Sequence, residues 1–268
     1  MKLRILSPLL PVLAFASPLA AGELPLLSKQ PWLGKYMGAD TRDFRFYVKD
    51  SGEAELLPAK EKEGFMSDNF AIRFVPLIEE TTADGKVISK TVAKDGWEAV
   101  TPAAMDPKKI TYRGTAGDAS FEVNIELAGG KITAGGRLLE KGTLNNPRFV
   151  LRVQVPFVYK YEKDAEKLKE KIKKDRMEVL RTDGKKLKLE LDKPLDAETP
   201  EYSGPGVTQA RIEIAGFNHR MDVGTTPGGV FELWNKEAKA LVEGFTLGWK
   251  HDAAKDPEGK ARLSFELK

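Results

Sequence analysis

His219 and His251 are the only two imidazoles in this chain, and there is no cysteine. Proton transfer near neutral pH is most readily served by histidine. A sugar-active enzyme of the lyase, epimerase or hydrolase type would therefore pair His219 or His251 with an acid. Both histidines alternate with apolar side chains, which equally suits a buried structural imidazole bonded to backbone. Metal chemistry has little to draw on. The histidines are not four apart on a helix, no H-E-x-x-H occurs, and a D-x-D-x-D-G calcium loop is absent. The sequence also contains no P-loop, no G-x-G-x-x-G after a strand and no G-x-S-x-G elbow. No metal and no cofactor are expected. With 40 Asp and Glu residues, some carboxylates will meet the spacing of a glycosidase pair by chance, so no dyad is selected.

Binding asks less than catalysis, and two segments offer it. In 217–223 (FNHRMDV) a strand would point Phe217, His219, Met221 and Val223 one way and Asn218, Arg220 and Asp222 the other. The second set presents donors and acceptors in a row, which sugar hydroxyls require. Arg220 and Asp222 could equally pair with each other on a wet sheet face. In 230–235 (VFELWN) Phe231 and Leu233 share one face, and Val230, Glu232 and Trp234 the other. A tryptophan beside a glutamate on the less apolar face could stack on a sugar ring. Asn218, Arg220, Asp222 and Trp234 are therefore the candidate binding residues. Trp249, in phase with Phe245, Leu247 and His251, reads as core.

The elements that must position these residues are strands. Period-2 alternation marks 44–49, 70–78, 86–92, 109–113, 119–127, 131–139, 148–158, 176–182, 185–191, 208–215, 217–223, 229–234, 241–249 and 262–267. Asp84-Gly85 and Asp183-Gly184 lie between alternating runs, where a two-residue hairpin turn would use positive φ. Pro156 inside 148–158 implies an edge or a bulge. One helix is expected over 161–175, with Tyr161, Ala165, Leu168 and Ile172 on one face and Lys, Glu and Asp elsewhere. The fold class is all-β, with sandwich-like antiparallel sheets and this one amphipathic helix. The helix separates two sandwich-like halves, 23–160 and 176–268, as one large or two consecutive domains.

The beginning of the chain reads as an export signal, 1–22. Lys2 and Arg4 precede a short apolar run, 5–16, and Ala20-Ala21-Gly22 offers a small-residue exit. The run is too short and too proline-broken to span a bilayer as a helix. The formal charge of +3 includes Lys2 and Arg4, and charged residues of both signs make up 31% of the chain. That describes a solvated surface, not a nucleic-acid footprint. Absent cysteines and absent N-x-S/T sequons suit a bacterial periplasm or cell surface. Many short strands with few helices and an export signal are similar to carbohydrate-handling β-sandwich proteins, a likeness of architecture alone. The expectation is an exported, non-catalytic binding or structural component of the cell envelope. Its partner would be a glycan or an envelope protein, with no nucleic acid and no transmembrane segment in the mature chain.

Overall fold

The computed structural model describes residues 22–60, 64–191, 193–235 and 244–268. Residues 1–21 of the expected export signal lie outside them, as do 241–243 of the expected strand 241–249. Strands occupy 51% of the chain and helices 6%, so the class is all-β. In chain order the strands are β1 (Met37–Asp40), β2 (Phe44–Val48), β3 (Ala54–Lys60), β4 (Gly64–Phe65), β5 (Ile72–Thr81), β6 (Val87–Lys90) and β7 (Trp97–Ala99). They continue as β8 (Ala104–Met105), β9 (Lys109–Ala116), β10 (Ala119–Ala128), β11 (Lys131–Glu140), β12 (Arg148–Val155) and β13 (Arg176–Arg181). The last six are β14 (Lys186–Glu190), β15 (Val207–Ile214), β16 (His219–Thr225), β17 (Gly229–Trp234), β18 (Phe245–His251) and β19 (Leu263–Leu267).

Among the described residues these strands form two sheets. The larger, of ten strands, runs β17-β18-β12-β5-β3-β2-β1-β8, with β6 beside β5 and β4 beside β3. The smaller, of nine, runs β14-β13-β15-β16-β19-β11-β10-β9-β7. Pairing is antiparallel throughout except between β1 and β8, which run parallel. Both sheets take strands from either side of the helix. One continuous apolar core, from Leu24 to Leu267, is shared between their inner faces. Phe74 of one sheet meets Phe265 of the other edge-to-face at 5.4 Å, the geometry that ring quadrupoles favour.

Several local features depart from the sequence reading for identifiable reasons. Strand β3 and its neighbour β2 do not alternate, because a second small cluster of Trp32, Tyr47, Leu57 and Ala71 covers the outer face there. A strand buried on both sides loses its period-2 signal. Strand β12 stops at Val155, so Pro156 ends the strand and makes no bulge. Pro76, by contrast, lies inside β5. Pairing with β3 stops at Phe74 and pairing with β6 begins at Ile78, so the missing N–H falls in the gap. The Asp-Gly turns are three-residue loops, not two-residue ones. Gly85 donates to the Thr82 carbonyl and Thr82 to the Lys86 carbonyl, and Gly184, Arg181 and Lys185 repeat the pattern. Only the glycines take positive φ, +81° and +80°, as a type I turn followed by a left-handed residue requires.

The helix, α1 (Ala165–Ile172), is shorter than 161–175. The Asp164 carboxylate accepts from the Glu166 and Lys167 amides at 3.0 and 3.1 Å and so starts the helix there. Ile172 is buried, whereas Tyr161 precedes the helix and is 66% exposed. No helix among the described residues is long and apolar enough to cross a membrane.

Candidate functional site

The segment 217–223 does not form one strand. Ala215–Phe217 makes a 3₁₀ turn and Asn218 sits in a left-handed conformation at φ +54°. Strand β16 begins only at His219. Asn218 is thus an exposed turn residue, out of line with Arg220 and Asp222. Those two point away from the core, as their parity predicts. Asp222 is 6% exposed and receives Arg220 at 3.1 Å, Arg211 at 3.3 Å and Lys268 at 3.0 Å. Burial pushes the Asp222 pKa up, but these three cations more than offset it and hold the carboxylate below its usual range. The group is a closed ion-pair network on the outer face of the smaller sheet.

Trp234 lies on the other sheet. Phe231 and Leu233 of β17 are in the shared core, so Glu232 and Trp234 project from the outer face of the larger sheet. The two sheets turn their outer faces opposite ways. The structure therefore brings Arg220 and Asp222 together and separates both from Trp234.

Around Trp234 the outer face gathers charge from four adjacent strands. On β5 the Glu79 carboxylate meets Lys250 of β18 at 2.7 Å and Arg152 of β12 at 2.8 Å. Lys250 also reaches Glu232 of β17 at 2.8 Å. Arg152 further donates to Ser89 Oγ, and its guanidinium lies 5.8 Å from the Trp234 ring centre. Glu79 is 6% exposed. Burial raises its pKa, yet Lys250 and Arg152 together bring it below the ordinary glutamate range. It is an ionised anchor, poorly suited to giving or taking protons.

The indole is seated by a glycine. At Gly248 an added Cβ would come within 2.9 Å of the Trp234 ring, so the ring lies close against the sheet where β18 has no side chain. Asn235 then fixes the neighbouring wall. Its Oδ1 accepts from the Leu195 amide at 2.8 Å, its Nδ2 donates to the Lys193 carbonyl at 2.9 Å, and its own amide donates to the Leu195 carbonyl at 3.2 Å.

Trp234 and Asn235 border two cavities. One, of about 630 Å³, is lined by Val87, Glu79, Arg152, Glu232, Lys250 and the 194–198 loop. The other, of about 400 Å³, is lined by Asn69, Arg73, Gln154, Lys160, Thr246 and the start of the 156–157 turn. Aromatic surface thus lies beside paired charges and amides.

The histidines are engaged elsewhere. His219 Nε2 donates to the Ala59 carbonyl at 2.9 Å, tying β16 to β3 of the opposite sheet. His251 Nε2 donates to the Asp256 carbonyl at 2.9 Å and lies 3.2 Å from its carboxylate. A carbonyl only accepts, so Nε2 carries the proton in both and is not a base at that nitrogen. His251 is 6% exposed and Asp256 9%. Among the described residues no group of three or more His, Asp or Glu side chains could hold a metal.

Sequence reasoning missed Glu79, Arg152, Lys250 and Asn235. Arg152 and Lys250 do alternate with core residues, in RFVLRVQV and FTLGWKH, but attention to the apolar phase hides the polar one. Glu79 carries no local signal, since its partners come from β12 and β18.

No protein-family model matches the chain, and no curated protein matches it. Solved structures do resemble it in three dimensions. An α-N-acetylgalactosaminidase from Bifidobacterium bifidum, determined as a GalNAc complex, superposes with a TM-score of 0.51 at 9% identity. The match covers 87% of this chain and 36% of that one, so the chain spans about a third of its length. A galactose mutarotase related enzyme from Lactobacillus acidophilus gives a TM-score of 0.46 at 12% identity, over 86% of this chain and 96% of that one. At 9% identity the likeness to the first is one of fold alone.

Proposed function

We propose that this chain is an exported, non-catalytic glycan-binding component of a bacterial cell envelope, and that its ligand lies along the groove bordered by Trp234. The observation that carries the reading is the seating of Trp234: an indole laid against Gly248 between two cavities lined by charged and amide side chains. Sugar rings present a C–H face to an aromatic ring and hydroxyls to charged and amide groups at its edge. The fold is shared with a chain determined in complex with GalNAc, which fits a carbohydrate ligand. The non-catalytic part rests on the occupied Nε2 atoms of both histidines and on the ionised state of Glu79. The envelope setting rests on the export pattern of 1–22.

The test is retention of the purified mature protein on a panel of immobilised polysaccharides, with release of reducing ends measured in parallel. Binding should fall about tenfold or more in Trp234→Ala, the equivalent of one lost stacking contact. Arg220→Ala should bind as the parent does. Retention indifferent to Trp234 would remove the groove from consideration. Reproducible product release that disappears in His219→Ala or His251→Ala would make the protein an enzyme. Intact mass of the exported product should show residues 1–22 gone.

A further inference from the structure

The two cavities beside Trp234 differ in charge. The one toward 194–198 is lined by Glu79, Glu232, Asp196 and Glu198 against Arg152 and Lys250. The one on the other side of the indole has Arg73 and Lys160 among its lining, with Asn69, Gln154 and Asn235, and no carboxylate among the described residues. Neither cation is consumed by a tight partner among the described residues. Arg73 is 52% exposed and touches Glu55 only at 3.5 Å through Nε. The same carboxylate is already held by Lys49 and Tyr47. Lys160 donates to the Asn69 carbonyl at 3.0 Å and otherwise lies over the Phe70 and Tyr161 rings, at 4.7 and 5.2 Å. A carbonyl and two ring faces hold an ammonium in place without neutralising it.

We infer that this cationic cavity receives an anionic substituent of a sugar ring, carboxylate or sulfate, while Trp234 stacks on the adjoining ring. The groove thus selects acidic polysaccharide over neutral polysaccharide. The inference rests on the glycan reading above and adds the charge of the ligand. The physical reason is an asymmetry of cost. An anion between Arg73 and Lys160 gains charge-assisted hydrogen bonds from a guanidinium and an ammonium. A neutral hydroxyl there gains only ordinary ones and brings no counter-charge to the two cations of the lining. Gln154 and Asn69 supply amide donors and acceptors for the hydroxyls beside the anion.

Titration calorimetry decides it, with short oligosaccharides of galacturonate, mannuronate and glucuronate, a sulfated galactan fragment, and neutral galactose and mannose oligomers of equal length. The acidic oligomers, of one or the other anion, should bind about tenfold more tightly than the neutral ones at low salt, a margin that shrinks as salt rises. In Arg73→Gln/Lys160→Gln the margin should close to about twofold, with neutral binding unchanged. Each single variant should close it in part, so the result does not depend on one substitution, and thermal unfolding of the three checks that the fold is intact. Neutral oligomers bound as well as acidic ones, with dependence on Trp234, would overturn the acidic preference and leave the glycan groove standing. A preference for acidic oligomers that survives in the double variant would place the anion elsewhere and overturn the inference. Binding of none of these oligomers would overturn both readings.

Discussion

The carboxylate of Glu79 is held between Lys250 and Arg152 with side-chain exposures of 7%, 12% and 24%. Removing the Glu79 charge leaves Lys250 with Glu232 alone and Arg152 with the Ser89 hydroxyl in place of a carboxylate, both partly desolvated. Glu79→Gln should therefore cost about 3 kcal/mol of folding stability, the lower end for a broken buried pair. The pH dependence has a definite sign. The folded pKa of Glu79 lies below the 4.5 of the free side chain. Its contribution is then fully present above that value and is lost as pH falls through the folded pKa. Denaturant midpoints measured from pH 7 downward should drop more steeply below about pH 4.5 in the parent than in Glu79→Gln. Parallel curves would show that Glu79 is not held ionised by its neighbours. At the same scale, Arg220 and Asp222 pair with each other at 3.1 Å, the alternative that the sequence left open. Asp222 takes Arg211 and Lys268 as well.

Strand β14 is the edge of the smaller sheet, joined to β13 by a turn whose Gly184 has φ +80°. A Cβ built there meets nothing within 4 Å. Any cost of substitution is therefore backbone strain and not crowding. Gly184→Val should destabilise by about 1–2 kcal/mol, since a β-branched residue resists the left-handed region. Lys185→Ala, 79% exposed on its side chain, should stay within about 0.5 kcal/mol. Equal melting temperatures for the two would mean that the turn does not require a positive φ. The asparagine clamp works at this scale as well: Asn235 ends β17 and holds the 193–195 backbone, so one element end builds the wall of the groove.

Strands from 23–160 and from 176–268 enter both sheets, and their inner faces share one core. Phe265 is fully buried in it and packs on Phe74 across the sandwich. Phe265→Ala should cost about 3–5 kcal/mol. Because the core is continuous, the loss should appear in a single cooperative transition, seen alike by tryptophan fluorescence and far-ultraviolet dichroism. Two separable transitions, only one of them shifted, would show that the halves melt apart. His219 belongs to this scale too. Its bond to Ala59 joins the two sheets.

The sequence alone determined what is local. Side-chain alternation is a property of a strand by itself, so the all-β class, most strand positions, the core placement of Trp249 and the outward phase of Arg220, Asp222 and Trp234 are legible from spacing. Capping is local as well, and the Asp164 signal could have shortened the expected helix. Which strand lies beside which is not local. It follows from how apolar faces of distant segments fit in one core, and no periodicity encodes it. That long-range pairing put Trp234 and Asp222 on opposite faces. It also set Glu79, Arg152 and Lys250 side by side from three separate stretches of chain, and made of them the floor of a groove that spacing could not foretell.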